Sequence, residues 1–560
     1  MLLSGSFLTD EGRKTRNEAT NKRRNSMDAI RIENLRSLTD TGFVELKPLT
    51  LLVGENSSGK SSFLRFFPLL RQSLEDRGPD PISWYGRLVD FGSFEEAVER
   101  KSGNEEITFH FRMGPEAFHH RVIRLPPIDD ITLLPPCGKT VSCTLRIGYN
   151  KIQERGFIKA CLFSFENYKI NIEFEENRKI KVFQVNAFDA LGDIDKEIFY
   201  MKSGHILPYA KSARNDFYHE SDYHIDSYLF NLIVSEIKKH IKPPKNKNSI
   251  RSAVYGFKIE TSDASDVLID SVKRDSSIQW KPHVCNWTTD NSDFKLLRDR
   301  MLAFDIINSL NDLDNYVYNF FLDVRYIAPM RATAERYYRV QNMVLNEVDS
   351  QGQNLAMIMK NLSSSDQKKF QNWTKEHFGF FLQADLSGGH VSLNVADTSG
   401  EIFNLMDMGF GYSQIFPILL QLWFLITETP PTPIYDYSED EPDWTPIYIP
   451  DSPLIFAIEQ PELHLHPALQ AKLADVFIAA IKLARENNID LRLIIETHSE
   501  VIINRVGHRI AYKELDNEDV NVVLFEKEPA ALSTKVSFSA YDKDGFLTNW
   551  PMGFLEPDMI

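Results

Sequence analysis

The first stretch able to do chemistry is residues 54–62, GENSSGKSS, which fits the G-x-x-x-x-G-K-[ST] pattern of a phosphate-binding loop. The apolar residues 49–53 predict a buried strand before it, and residues 63–67 open an apolar helix behind it. Two glycines let successive backbone N–H groups point at phosphate oxygens, and the helix adds the positive end of its dipole. A glycine- and serine-rich turn without a ligand is the alternative, but the complete pattern between strand and helix favours nucleotide binding.

Two side chains of this loop have separate predicted tasks. The Lys60 ammonium is expected to reach the β- and γ-phosphates, and the Ser61 hydroxyl is expected to bind Mg²⁺. The residues predicted to contact the nucleotide are Gly54, Asn56, Ser57, Ser58, Gly59, Lys60, Ser61 and Ser62.

An acid follows the apolar residues 454–458, where Glu459 stands at the predicted end of a strand. A carboxylate at that point would meet Mg²⁺ beside the phosphate loop, either directly or through water. Taken alone, the pattern is equally typical of a buried strand with a surface acid at its tip. The phosphate loop makes the metal-binding interpretation the stronger one.

A histidine follows another apolar strand, predicted at residues 493–495. His498 is expected to approach the γ-phosphate edge of the nucleotide. A lone histidine at a strand end is usually only a polar terminus, but its order after the other motifs favours a function.

A glycine- and serine-containing motif, residues 407–414 (DMGFGYSQ), precedes an apolar helix. Gly409 and Gly411 permit a close backbone approach, and Ser413 is predicted to cap the helix. This would be a second anion-binding helix N-terminus. Because one nucleotide needs only one phosphate loop, we expect this motif to contact the γ-phosphate held by another subunit. A capped core helix is the alternative.

Composition narrows the class of protein. Among 560 residues, 42% are apolar and 25% are charged, which is ordinary for a soluble globular protein. The net charge of −16 argues against a protein that coats nucleic acid, but leaves room for contact through a local basic stretch such as residues 238–247. The scattered cysteines lack metal or disulfide spacing, the first 26 residues lack an apolar signal segment, and the apolar run 415–426 is too short to cross a bilayer. We therefore predict a cytoplasmic protein with no membrane contact.

The four motifs, in this chain order, resemble the head of ABC-type ATPases. Residues 458–467 (IEQPELHLHP) and 544–554 (DGFLTNWPMGF) resemble the SMC-like and OLD-like branch of prokaryotic AAA-labelled ATPases. The resemblance covers residues 27–100, 325–425 and 454–555. It implies an α/β fold, namely an ABC-type P-loop ATPase head split by a large inserted β-rich and helical region.

The same resemblance implies ATP and Mg²⁺ as cofactors and a homodimer or higher oligomer. ATP would lie between the phosphate loop of one subunit and Gly409, Gly411 and Ser413 of the other. Residues 463–467 would form the loop that crosses the dimer interface.

The predicted organisation has six parts. They are a disordered basic extension (1–26), the N-terminal half of the head (27–104), the inserted β-rich then helical region (105–325), the signature-motif helical part (326–427), an acidic proline-rich insertion (428–453) and the C-terminal half of the head (454–560).

One departure from the family pattern affects catalysis. The usual second acid after the strand is replaced by Gln460, and an amide can orient water but cannot accept its proton. Either Glu462 serves as the base, or hydrolysis is slow, so the candidate catalytic residues are Glu462, Gln460 and His498. A metal site formed by Glu462, His464 and His466 is a further alternative, although the interface loop already accounts for these residues.

The resemblance also suggests a partner. Too few residues follow His498 for the Toprim nuclease domain of OLD-like proteins, so we expect no nuclease activity in this chain. It resembles the ATPase subunits of Septu-type and retron-associated anti-phage systems, which work beside an HNH nuclease. A retron reverse transcriptase with its DNA or RNA is a second expected partner. The alternatives are an SMC-like DNA repair ATPase that clamps DNA and a nucleotide-locked scaffold without turnover.

Overall fold

The computed structural model describes most of the chain. The described residues are 27–98, 105–114, 122–125, 128–132, 140–165, 168–192, 199–200, 204–210, 225–242, 264–274, 279–341, 347–397, 400–427, 453–527 and 533–551. The predicted basic extension, nearly all of the acidic insertion and the second half of the basic stretch at 238–247 therefore lie outside the described residues.

The strands and helices are as follows. The strands are β1 Met27–Leu35, β2 Leu38–Asp40, β3 Val44–Glu45, β4 Leu49–Gly54, β5 Glu106–Met113, β6 Val122–Leu125, β7 Ile128–Thr132, β8 Val141–Asn150, β9 Arg155–Phe165, β10 Tyr168–Phe174, β11 Ile180–Val185, β12 Phe188–Asp189, β13 Phe199–Tyr200, β14 Tyr209–Ala210, β15 Arg325–Ile327, β16 Tyr338–Arg339, β17 Phe380–Ser387, β18 His390–Asp397, β19 Ile402–Asn404, β20 Leu454–Glu459, β21 Leu491–Glu496, β22 Val520–Lys527, β23 Thr534–Tyr541 and β24 Leu547–Thr548. The α-helices span Lys60–Asp76, Phe94–Ala97, Ile225–His240, Ala264–Arg274, Ser292–Leu322, Leu355–Asn361, Ser364–Phe378, Gly409–Thr427, Pro467–Glu486 and Glu500–Ala511.

The chain divides into two compact units. One comprises Leu35–Gln72, Trp84–Gly92 and Phe320–Ile560, and it contains all four sequence motifs. Its main sheet has the strand order β15-β20-β21-β4-β22-β23-β24. The pairings from β15 to β22 are parallel, whereas β23 and β24 add antiparallel strands at one side.

The parallel strands follow from their composition. Strands β4 and β21 are buried along their whole length, because a parallel sheet is covered on both faces and requires continuous apolar runs. The helices Gly409–Thr427 and Pro467–Glu486 contribute apolar side chains to the same core, which includes Leu51, Phe456, Ile495, Leu419 and Phe477.

The register of the parallel strands decides where the functional side chains lie. Glu459 on β20 pairs with Glu496 on β21, and Glu496 pairs in turn with Leu52 on β4. The carboxyl ends of these three strands therefore meet at one edge of the sheet, directly where the phosphate loop leaves β4. This edge is the usual position of ligand sites in α/β proteins.

The other unit comprises Met1–Asn34, Ser73–Ser83 and Ser93–Asn319. Its sheet runs in the order β12-β11-β10-β9-β8-β5-β1 and its pairings are antiparallel. Burial alternates along β10, as period-2 patterning requires when one face covers a core. The long helix Ser292–Leu322 lies mostly within this unit.

Two stretches differ in how well their pattern predicts the structure. The alternation of residues 162–174 predicts a single strand, which is wrong, since β9 and β10 pair antiparallel and Phe165 is the partner of Tyr168. The apolar alternation continues across the reversal, so periodicity alone could not reveal it. The buried helix predicted at 415–426 is confirmed within Gly409–Thr427. Of the described helices, this one is long and apolar enough to cross a membrane, but 72% of its most apolar window is buried inside the protein, as in an ordinary core helix.

Candidate functional site

The phosphate loop begins where β4 ends at Gly54 and finishes where the helix starts at Lys60. A Cβ on Gly54 would collide with the carbonyl oxygen of Phe525, so only glycine fits against the neighbouring strand. Gly59 has φ +95°, and a Cβ there would lie 2.8 Å from Ser37 Oγ and 3.0 Å from Thr534 Oγ1. Both glycines are therefore required by the packing of the loop as well as by its curvature.

A second strand holds the loop from behind. The Thr534 hydroxyl donates a hydrogen bond of 2.8 Å to the Ser58 carbonyl, and the Thr534 N–H donates one of 2.9 Å to the Ser37 carbonyl. Strand β23 thus fixes the loop backbone before any ligand is bound, which lowers the ordering cost of binding.

Lys60 is buried, with 3% of its surface exposed. Its Nζ donates to the carbonyl oxygens of Gly54 (3.0 Å) and Glu55 (2.6 Å). Burial lowers the pKa of the Lys60 ammonium, while the nearby Glu496 and Glu462 carboxylates oppose that shift. The ammonium therefore folds over the loop that is predicted to receive phosphate.

Ser61, predicted to bind Mg²⁺ together with Glu459, contacts a different acid in this structure. Its hydroxyl donates a hydrogen bond of 2.9 Å to Glu496 Oε1, at the end of β21. Glu496 is 1% exposed, and burial raises the pKa of its carboxyl group to about 7, with the neighbouring Glu459 charge adding to the rise.

Glu459 lies at the same edge but is engaged by other groups. Arg65 Nε donates to its Oε1 at 2.7 Å and Arg65 Nη2 to its Oε2 at 2.8 Å, and the Tyr326 hydroxyl adds a third bond of 2.7 Å to Oε1. The hydrogen bonds from Arg65 to Glu459 are the main reason that the pKa of the Arg65 guanidinium is raised. This is a bidentate ion pair around a buried carboxylate.

Glu462 and His498 meet through the backbone. The His498 N–H donates a hydrogen bond of 2.6 Å to Glu462 Oε1. Burial raises the pKa of the Glu462 carboxyl group, although this hydrogen bond and the Arg331 charge oppose the rise. Gln460, between the two acids, has φ 42° and donates its N–H to the Glu496 carbonyl at 2.9 Å. The turn after β20 is thus a strained conformation of the kind found at functional sites.

Several buried polar atoms here have no hydrogen-bond partner among the described residues. They are Ser58 Oγ, Glu462 Oε2, Glu496 Oε2 and His498 Nε2. An unpaired buried polar atom costs free energy, and natural proteins keep it where a ligand, ion or water completes the site. The donor set therefore fits a bound nucleotide with Mg²⁺, for which Ser61 and the acids at this edge would be oxygen ligands of the kind that Mg²⁺ prefers.

The glycine–serine motif forms the start of a helix, as predicted, but its boundary differs. The helix begins at Gly409, so Ser413 lies inside the first turns and its hydroxyl donates to the Phe410 carbonyl at 2.8 Å. The prediction that Ser413 caps the helix is therefore wrong. A Cβ on Gly411 would lie 3.0 Å from the His464 carbonyl oxygen, so this turn packs closely against residues 463–467.

The alternative metal site at Glu462, His464 and His466 finds no support. The His464 ring lies 6.0 Å from the Phe410 ring, between centroids, and His466 Nδ1 accepts from the Ala468 N–H as an N-cap. Across the described ranges, no group of three or more His, Cys, Asp or Glu side chains could hold a metal ion.

Sequence reasoning missed Glu496 and Arg331. An acid two residues before His498, on a strand next to β4, was the available signal for Glu496. Arg331 is 6% exposed and donates from Nη2 to the Glu459 carbonyl at 2.9 Å, and burial lowers its pKa to about 10. Nothing in its local sequence indicated this buried position.

The parallel sheet, the phosphate loop and the acids at its edge define a P-loop nucleotide-binding ATPase fold. The family model described as AAA ATPase domain matches residues 27–503, and the chain belongs to this family. A comparison with curated proteins found no match.

Solved structures with some similarity include SMC head domains. That of Thermotoga maritima is 8% identical with a TM-score of 0.30, and covers 92% of this chain and 98% of its own. The Smc head with an extended coiled coil bound to the C-terminal domain of ScpA, from Pyrococcus furiosus, is 12% identical with a TM-score of 0.31, and covers 92% of this chain and 96% of its own.

Proposed function

We propose that this chain is a slow, Mg²⁺-dependent ATPase that assembles as a homodimer around ATP and controls a separate nuclease in prokaryotic anti-phage defence. One observation carries the enzymatic part of the proposal. The phosphate loop, Glu462, Glu496 and His498 converge on one sheet edge, and the last three each keep a buried atom without a partner among the described residues.

The loop supplies the binding step. Lys60 exchanges its bonds to the loop carbonyls for phosphate oxygens, and backbone N–H groups of residues 54–59 complete the cradle. When bound, Mg²⁺ would neutralise charge on the phosphates. Ser61, with a carboxylate at the sheet edge, would hold the ion.

Glu462 supplies the base. Its Oε1 is oriented by the His498 N–H, whereas its Oε2, which has no hydrogen-bond partner among the described residues, accepts a proton from water. The raised pKa of Glu462 brings this carboxyl group closer to neutral pH, where a general base works best. Gln460 orients water without taking its proton, which is consistent with slow turnover.

The second subunit supplies Gly409, Gly411 and Ser413. Phe410 is 59% exposed within this motif, so part of the turn is available to a second copy. The inserted region 105–325 and the acidic insertion 428–453 are the proposed docking surfaces for an HNH-type nuclease. The defence role and a retron partner rest on the resemblance of residues 458–467 and 544–554 to such subunits.

The enzymatic proposal is tested by ATP turnover of the purified chain. Lys60→Ala is expected to lower kcat at least about 100-fold, while the exposed helix residue Lys368 serves as the matched control in Lys368→Ala. Light scattering after size exclusion, with and without ATP, measures assembly. ATP binding and assembly without turnover in the wild type would instead establish a nucleotide-locked scaffold.

The defence proposal is tested in a bacterial host that carries the chain with its neighbouring genes. Protection against phage plating should require both Lys60 and an encoded nuclease. Protection that survives Lys60→Ala would contradict a role for ATP. The alternative, an SMC-like DNA repair ATPase that clamps DNA, is equally compatible with the ATPase family.

A further inference from the structure

Gln470 is a polar side chain of the helix Pro467–Glu486 that the proposed mechanism does not use. Its Nε2 donates a hydrogen bond of 2.9 Å to the Leu465 carbonyl, and its Oε1 accepts one of 2.6 Å from the Ser499 hydroxyl. Leu465 lies in the turn after β20, and Ser499 lies in the loop after β21. One amide therefore joins the two segments that carry the candidate base and the candidate histidine.

The orientation of this amide is determined by its partners. A carbonyl oxygen can only accept a hydrogen bond, so the amino group of Gln470 must face Leu465. The Ser499 hydroxyl then donates to the amide oxygen, while its own oxygen accepts from the Ile502 N–H at 3.1 Å as the cap of the helix Glu500–Ala511. Ser499 is 6% exposed, and a hydrogen bond shielded from water is electrostatically stronger. A side chain with both a donor and an acceptor is therefore needed between the two segments.

These bonds close a ring around the candidate base. The Leu465 N–H donates to the Glu462 carbonyl at 3.0 Å, and the His498 N–H donates to Glu462 Oε1 at 2.6 Å. The ring has five members, which are Glu462, His498, Ser499, Gln470 and Leu465. Glu462 forms one link between the two loops and Gln470 forms a second. Two links restrict the rotation of one loop against the other, which a single bond does not.

Resting on the proposed ATPase function, we propose that Gln470 is a positioning residue for hydrolysis, which holds the Glu462 carboxylate in register with the His498 loop. A displacement of about 1 Å in a catalytic group can cost about 10²-fold in rate. The partners of Gln470 belong to the two loops and not to the phosphate loop, residues 54–62. Its loss should therefore lower the rate of the chemical step and leave nucleotide binding intact.

The test separates kcat from KM for ATP in the purified full chain. Gln470→Met keeps the length of the side chain but removes both bonds, and should lower kcat at least about tenfold. Its KM for ATP and its affinity for a non-hydrolysable ATP analogue should stay within about twofold of the wild type. Gln367→Met is the matched control, because Gln367 also lies on a helix and donates from Nε2 to a carbonyl, that of Met359, at 2.8 Å. This control should leave kcat unchanged.

Gln470→Glu separates the two bonds of the amide. A carboxylate still accepts from the Ser499 hydroxyl, but it cannot donate to the Leu465 carbonyl and is repelled by it. If positioning requires the closed ring, this isosteric variant should lose as much of kcat as Gln470→Met loses. Circular dichroism establishes that each variant is folded. If Gln470→Met does not fold, Gln470→Glu decides the question in its place.

The outcomes distinguish this role from the ATPase activity on which it rests. A wild-type kcat in the Gln470 variants, or an equal loss in Gln367→Met, would overturn the positioning role. The same conclusion follows if the affinity for the ATP analogue falls as far as kcat does, since the side chain would then act on binding. A wild type that binds the analogue without turnover would instead overturn the proposed ATPase activity, and this role with it.

Discussion

Glu462 Oε1 accepts a hydrogen bond of 2.6 Å from the backbone N–H of His498. This bond joins the loop after β20 to the loop after β21. The other oxygen of Glu462 has no partner among the described residues. Because the fold positions one oxygen and leaves the other for water, the assignment of this residue as the base can be tested by its pH dependence.

Turnover should rise with pH through the titration of Glu462. Burial raises the pKa of this carboxyl group above its ordinary value of 4.5, and the base must be ionised to accept a proton. Glu462→Gln should lower kcat by about 10²–10⁴-fold and remove this limb of the profile, while nucleotide affinity is retained. Steady-state assays across the acid range measure both effects. An unchanged kcat in Glu462→Gln would show that Glu462 is not the base.

The same carboxyl group affects stability with a defined sign. The folded protein binds the Glu462 proton more tightly than the unfolded chain does. Its contribution to stability is therefore fully present below pH 4.5 and is lost as the pH rises through the raised folded value. As the pH rises through this range, Glu462→Gln should become more stable relative to the wild type, which thermal unfolding of the two proteins measures. A difference in Tm that stays constant with pH would contradict the shift.

Gly59→Ala should disable the phosphate loop by sterics alone. The position has φ +95°, and the added Cβ would meet Ser37, Leu38 and Thr534 at 2.8–3.0 Å. We expect a loss of about 1–3 kcal/mol in unfolding free energy and a loss of nucleotide binding. Gly389→Ala is the matched control, because it has φ +82° but no atom within 4 Å of its Cβ. Calorimetry and nucleotide titration compare the two, and equal ATP affinities would contradict the expected steric effect.

Arg65→Ala should destabilise the protein more than the double variant Arg65→Ala with Glu459→Gln. The single change leaves a carboxylate that is 2% exposed without its bidentate partner, at a cost of about 3 kcal/mol. The double change removes the charge and recovers part of that loss. Urea denaturation of the four members of the cycle measures the coupling. Additive effects would mean that the ion pair is energetically neutral.

Phe410→Ala should weaken ATP-dependent assembly without weakening ATP binding by the isolated subunit. Phe410 is 59% exposed in the turn that packs on residues 463–467, and the phosphate loop does not depend on it. Phe546→Ala, at a residue that is 70% exposed on another loop, is the control. Light scattering with ATP compares the two variants. Equal assembly by wild type and Phe410→Ala would exclude this turn from the interface.

The sequence by itself determined the elements that depend on local patterns. The phosphate loop could be predicted because its glycines, lysine and serine stand at fixed spacing between an apolar strand and a helix. The apolar runs of β20 and β21 were sufficient to place Glu459 and His498 at or just beyond strand ends. These features follow from backbone geometry and burial, which adjacent residues encode.

Only the tertiary structure decided which acid meets Ser61. Strand order places β21 between β20 and β4, and the pairing of Glu459 with Glu496 brings two carboxylates to one edge. Arg65 and Tyr326, which belong to other elements of the unit, both donate hydrogen bonds to Glu459 and not to Glu496. Hydrogen bonding between groups hundreds of residues apart has no local signature, and for that reason motif spacing favoured Glu459 whereas the folded chain directs Ser61 to Glu496.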